Sequence, residues 1–355
     1  MSCVRGILVL FTIGSVPIIL WLSGIILLGS LKTTIFALVV IFGVVPIIFR
    51  YTYPIQRSLI FLNFVNYPAL TQFQTPQKYG LKGTRNFHIT TDESIRLGIW
   101  HVLPSKFHNS SEIEEEGFFL TALGSGDPVV VYMHGNSGSR ASTHRIELYQ
   151  LLSNLGYHVI AFDYRSYGDS TNESPSEQGV VSDSLFVLSW TVERVKGAPL
   201  FVWGHSLGTS VSSHSLDILS QKGLHPTGLI LEAPFNNMRD EIREHPLARV
   251  FRFLPWFDFC FADSVGENNL LFETDKHLRN IRSRVLILHA EDDKIIPFKL
   301  AKKLYESTVQ GRSPHFGKVK FVKFEGKWGH GHKWICRSPD LPNVIRYLFI
   351  LYTLT

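Results

Sequence analysis

The sequence predicts an α/β domain on a mostly parallel central sheet, held to a membrane by its N-terminus. Three observations lead there. Two apolar runs, broken only by Lys32, occupy most of the first 50 residues. From Pro128 onward, short apolar runs alternate with helix-length segments, the rhythm of strands buried on both faces and joined by helices. A Gly-x-Ser-x-Gly pattern follows one of those runs directly.

Composition narrows the class. With 355 residues, 45% hydrophobic and 18% charged, the chain is neither disordered nor collagen-like. Its cysteines, Cys3, Cys260 and Cys336, form no CxxC pair and too few bridges for a disulfide scaffold. The net charge of +5 comes with no zinc-finger or RNP pattern. Nucleic acid is therefore not an expected partner, and the mild basicity suits an anionic membrane surface.

Taken in order, the first apolar run is Gly6–Leu31. As a helix it would span about 39 Å, more than the roughly 30 Å hydrocarbon core. The second, Thr33–Phe49, would span about 26 Å, short for a crossing. A cleaved signal peptide would have an apolar region of about 7–15 residues and no second run behind it. Residues 1–50 are thus expected to be a membrane anchor of one or two helices. Residues 51–79, with Tyr51, Tyr53, Phe61, Phe64, Tyr67 and Phe73, are an aromatic-rich linker suited to a membrane interface or a domain edge.

The remaining residues, 80–355, form the folded domain. Arg85–Thr91 and Ile95–Leu103 read as a hairpin around Asp92-Glu93-Ser94. Residues 104–127, which include Glu114-Glu115-Glu116, read as an exposed loop. Six core strands follow at Val129–Met133, His158–Phe162, Leu200–Trp203, Leu229–Leu231, Val285–Leu288 and Val319–Phe324. Residues 235–281 break the rhythm. Phe251, Phe253, Trp256, Phe257 and Phe259 make this stretch apolar enough to read as a cap insertion over a site.

The chemistry gathers at strand ends. Leu200–Trp203 leads into Gly204-His205-Ser206-Leu207-Gly208 and a helix-compatible stretch. That is the strand-to-helix elbow of a serine nucleophile, with glycines where a Cβ would clash. A serine hydroxyl needs a histidine base, and the base needs a carboxylate on its other ring nitrogen. On this architecture the chain order is serine, acid, histidine. His289-Ala290-Glu291-Asp292-Asp293 ends a strand and offers the acid. Asp293 fits the H-G-x-x-D-x-x-V-P pattern of such hydrolases, with Ala290 in place of glycine; Asp292 and, on an earlier strand, Glu232 are rivals. For the base, His332 in Gly329-His330-Gly331-His332-Lys333 is favoured over His330. No further cluster turns His330-x-His332 into a metal site, and neither metal nor cofactor is expected. The turn His134-Gly135-Asn136 after the first core strand supplies the oxyanion hole, with the backbone amides of Asn136 and Leu207 as donors.

These motifs together resemble the α/β-hydrolase domain-containing protein 12 family, the lysophosphatidylserine lipases, over roughly residues 80–345. The residues that carry the likeness are His134-Gly135-Asn136, Phe162-Asp163-Tyr164-Arg165, Gly204-His205-Ser206-Leu207-Gly208-Thr209, His289-Ala290-Glu291-Asp292-Asp293 and His332-Lys333. The resemblance implies an α/β-hydrolase fold with helices on both sheet faces, and Ser206, Asp293 and His332 as the triad. It implies hydrolysis of lysophosphatidylserine and monoacylglycerols by a membrane-bound enzyme facing the endoplasmic reticulum lumen or the cell exterior, and the aromatic cap and apolar anchor suit a lipid substrate that arrives from the bilayer. No protein partner is implied. Ser166 departs from the glycine usual at its position, His330 is an extra histidine, and the second apolar run is unlike the family's single span.

A protein depalmitoylase would use the same triad, facing the cytosol. A non-catalytic scaffold should lack a triad member, and here each has a candidate. Dehalogenase or epoxide hydrolase chemistry needs a carboxylate at position 206.

Overall fold

The computed structural model describes residues 2–66, 68–110 and 117–346. Tyr67 of the linker and Glu114-Glu115-Glu116 of the expected loop lie outside them. The chain divides into two compact units: Met1–Leu59 with Met238–Leu271, and Ile60–Asn237 with Phe272–Thr355.

The first unit begins with two helices long and apolar enough to cross a membrane, Val4–Leu22 (19 residues) and Leu28–Tyr51 (24 residues). The break falls at residues 23–27, earlier than the sequence suggests, and Lys32 lies inside the second helix. The cause is local: Gly24 takes a left-handed φ of 73°, which a glycine adopts without a Cβ penalty. The second helix is therefore longer than the charge-free run alone indicates. The insertion belongs to this unit. Leu254, Phe257, Cys260 and Phe261 form its buried cluster, with Leu10, Phe42 and Phe49 packed against it. Phe42 meets Phe251 and Phe253 at centroid distances of 6.2 and 5.4 Å, and the Trp256 indole N–H donates to the Phe42 carbonyl at 3.1 Å.

The second unit is built on an eight-stranded sheet in the order β1-β2-β4-β3-β5-β6-β7-β8. The strands are β1 Thr84–Thr90, β2 Arg96–Val102, β3 Val129–Met133, β4 His158–Phe162, β5 Leu200–His205, β6 Gly228–Glu232, β7 Arg284–Ala290 and β8 Val319–Phe324. The expected hairpin is β1 and β2, and β2 also runs antiparallel to β4; every other pairing is parallel. The strands β3 to β6 are buried along their whole length, which is why they read as unbroken apolar runs. At the edge, β8 exposes Lys320 and Lys323, charges that blunt an otherwise open ladder.

The connection β3 to β4 runs one way across the sheet and later ones run back. Right-handed crossovers then place helices on both faces. Leu148, Tyr149 and Leu152 of helix Thr143–Asn154 pack into one core with Tyr132, Trp203 and Leu288. The expected loop is not wholly irregular: Phe118–Leu123 is a short helix that buries Phe119, Ala122 and Leu123.

Candidate active site

All the parallel strands end on one edge of the sheet, and loops from β3, β5, β7 and β8 bring the predicted residues together there. Ser206 lies between β5 and helix Leu207–Gln221 with φ 54° and ψ −121°. A non-glycine residue at such a φ costs on the order of 1–3 kcal/mol, and the surroundings hold it. Its amide donates to the Glu232 carbonyl at 2.9 Å. Gly208 is required by closeness: a Cβ there would lie 2.7 Å from the His134 carbonyl oxygen.

His332 places Nε2 3.0 Å from Ser206 Oγ and Nδ1 2.7 Å from Asp293 Oδ2. The other oxygen of Asp293 accepts from the amides of Ile295 at 2.8 Å and Ile296 at 3.0 Å. Burial opposes ionisation of Asp293, but its hydrogen bond and attraction to His332 prevail, and its carboxyl sits below the usual range. A carboxylate so fixed holds the Nδ1 proton and leaves Nε2 free to accept the serine hydrogen.

The rivals are used otherwise. Asp292 accepts from the Gly331 amide at 3.0 Å, which tethers the loop before His332. Glu232 accepts from the Trp203 indole N–H at 2.9 Å, and burial pushes its carboxyl up to about 7. His330 is buried with its ring 5.9 Å from that of Phe324. No side chain of the three bonds to Ser206 or His332 among the described residues.

The turn after β3 lies against Ser206: a Cβ on Gly135 would be 3.1 Å from that of Ser206. The Asn136 side chain donates to the Ile60 carbonyl at 3.0 Å, and its own carbonyl accepts from the Tyr167 hydroxyl at 3.2 Å. No acceptor among the described residues takes the backbone N–H of Asn136 or Leu207, so both are open to an incoming acceptor.

One contributor was not anticipated from sequence. His205 Nε2 lies 2.8 Å from the His332 carbonyl. A carbonyl only accepts, so Nε2 of His205 carries a proton and pins the backbone of His332. Burial keeps this imidazole neutral by lowering its pKa. The signal was present in Gly204-His205-Ser206, but nothing in a linear sequence says where that ring points. Ser166 is also explained. It takes the left-handed φ of 69° that a glycine would, and its hydroxyl bonds to Asn172 at 3.0 Å.

A family model described as serine aminopeptidase, S33, matches residues 124–273. Lysophosphatidylserine lipase ABHD12 of Danio rerio is 41% identical over 319 residues, covering 90% of this chain and 83% of that one. That of Gallus gallus is 41% identical over 316 residues, covering 89% and 83%. The chain belongs to the ABHD12 family. Protein ABHD12B of Homo sapiens, 35% identical over 293 residues, covers 82% of this chain with 80% of its own. As a member of the ABHD12 family the chain is a serine hydrolase. An esterase of Pyrococcus furiosus superposes with a TM-score of 0.57 at 18% identity, covering 80% of this chain and 96% of that one. An α/β hydrolase of Vibrio vulnificus gives 0.57 at 17%, with 80% and 88% covered. Both likenesses show the α/β-hydrolase fold.

Proposed function

We propose that this ABHD12 relative is a membrane-anchored esterase that cleaves the acyl ester of single-chain lipids, lysophosphatidylserine and monoacylglycerol foremost. The observation that carries the reaction is the unbroken relay from Ser206 through His332 to Asp293, at 3.0 and 2.7 Å. Ser206 Oγ attacks the acyl carbonyl as His332 takes its proton. Asp293 stabilises the imidazolium, and the amides of Asn136 and Leu207 hold the oxyanion. His332 then protonates the departing glycerol oxygen and activates the water that releases the fatty acid. The substrate class rests on the name shared by the relatives.

Comparing lipids in cells that carry wild-type protein or Ser206→Ala tests this. Single-chain phosphatidylserine species should accumulate with the alanine variant. Unchanged lipids together with lost turnover of acyl-cysteine would replace this reading with protein depalmitoylation.

Sidedness depends on how many helices cross. The family resemblance supports a lumenal active site in the endoplasmic reticulum, which needs either one crossing with the other helix in the interface or two with Met1 in the lumen. That is the placement proposed. Its rival is favoured by the 24 residues of the second helix. Two crossings return the chain to the side of Met1, the cytosol by the positions of Arg5, Arg50 and Arg57. Asn109, exposed in the sequon Asn109-Ser110-Ser111, decides between them, because that sequon is glycosylated only in the lumen.

A further inference from the structure

We infer that the first unit carries a binding site for the headgroup of an anionic diacyl phospholipid, where the insertion meets the polar end of the helical hairpin. The inference rests on the two-crossing form of the membrane anchoring proposed above and not on the hydrolase chemistry. Leu10 of the first helix and Phe42 and Phe49 of the second pack into one cluster with the insertion. Arg5, at the start of the first helix, and Arg50, at the end of the second, therefore mark the same end of the hairpin. Arg50 is already engaged: its guanidinium bonds both oxygens of Glu267, at 3.0 and 3.1 Å, and lies 3.7 Å from the Phe259 ring centroid.

At this end lies a cavity of about 550 Å³. Its wall carries three guanidinium groups, Arg5, Arg243 and Arg252, against two carboxylates, Glu244 and Asp258. Arg243 pairs with Asp258 at 2.6 Å and Arg252 with Glu244 at 3.0 Å. Arg5 makes no ion pair among the described residues, so one cation is unbalanced. Apolar Val9 and Phe257 line the same cavity.

A second observation comes from the insertion's surface. Leu247 and Val250 are 75% and 56% exposed, with Arg249 between them. Aliphatic side chains displayed beside a basic one suit the boundary between headgroups and acyl chains. A phospholipid seated here places its phosphate near Arg5, at the depth where the helix leaves the hydrocarbon, and its chains along the apolar helix face. An anionic headgroup supplies the missing charge. A choline headgroup brings a cation of its own.

The full chain carrying Ser206→Ala, purified in detergent, is exposed to equal amounts of phosphatidylglycerol and phosphatidylcholine and read by native mass spectrometry. The serine variant removes turnover, and neither probe carries a serine headgroup. Phosphatidylglycerol should be retained about fivefold more, the effect of one basic residue near an anionic surface. Arg5→Gln should bring the ratio close to one, and Arg5→Lys should keep most of it. Equal retention of the two lipids by the unsubstituted arginine form overturns the inference, and so does an undiminished ratio in Arg5→Gln. Fluorophosphonate labelling of Arg5→Gln with Ser206 intact reports folding separately, so failure of this site and failure of the esterase reading give different results.

Discussion

Replacing Asp293 by asparagine tests the relay at its most constrained point. One carboxylate oxygen accepts two backbone amides, those of Ile295 and Ile296, at 2.8 and 3.0 Å. An amide nitrogen cannot accept from them, so the asparagine oxygen must stay there. Its NH₂ group then faces His332 Nδ1, 2.7 Å from the replaced oxygen in the native protein. A donor in that place forces Nδ1 to accept and moves the ring proton to Nε2, which faces Ser206 Oγ and can no longer take its hydrogen. The expected loss in turnover is about 10⁴, or about 5 kcal/mol of transition-state stabilisation. Asp292→Asn is the internal control. Its oxygen accepts one amide, that of Gly331, at 3.0 Å, and an asparagine oxygen accepts it as well. That change should cost less than about tenfold. The assay is kcat/KM on a short soluble ester, so that membrane presentation plays no part, with fluorophosphonate labelling to report folding. Asp293→Asn within tenfold of wild type would refute the reasoning, as would a larger loss from Asp292→Asn.

Further outcomes are expected. Ser206→Ala should abolish fluorophosphonate labelling, and full labelling would displace the nucleophile. Glu232 has its carboxyl raised from 4.5 to about 7, by burial first and against the weaker pull of the Trp203 hydrogen bond. The folded state therefore keeps a proton that the unfolded state has lost, and between pH 4.5 and about 7 this group makes stability fall as pH rises. The contribution is roughly 3 kcal/mol across the window, and Glu232→Gln should remove it in thermal unfolding of the full chain followed against pH. Gly208→Ala drives a Cβ into the backbone of Met133 and His134 and should destabilise by about 3 kcal/mol, read as lost labelling and a lower Tm. Lumenal placement predicts a mobility shift on endoglycosidase treatment that Asn109→Gln abolishes; cytosolic protease access to the hydrolase domain in sealed microsomes would contradict it.

The sequence by itself determined the sheet. The runs from Val129 to Met133 and from His158 to Phe162 match β3 and β4 residue for residue, because a strand buried on both faces admits almost nothing but apolar side chains. The elbow at Ser206 was legible for a related reason: its backbone tolerates only glycine at the positions that meet neighbouring chain. Legibility stopped where residues distant in sequence must meet. Asp292, Asp293 and Glu232 are all carboxylates at strand ends, and the H-G-x-x-D-x-x-V-P pattern favours Asp293 without saying what any of them touches. Only the folded chain brings Asp293 to His332, points Asp292 at the Gly331 amide and leaves Glu232 beneath Trp203. Helix boundaries divided in the same way. Lys32 marks where the apolar run stops, but a lysine does not stop a helix, and the turn at Gly24 does. The destination of the insertion's aromatic rings was also a tertiary decision. A phenylalanine pattern states that a face must be buried, and only the packing of Phe251, Phe253 and Phe261 against Phe42 and Phe49 says against what, because apolar burial is non-directional and takes whichever partner surface the fold presents.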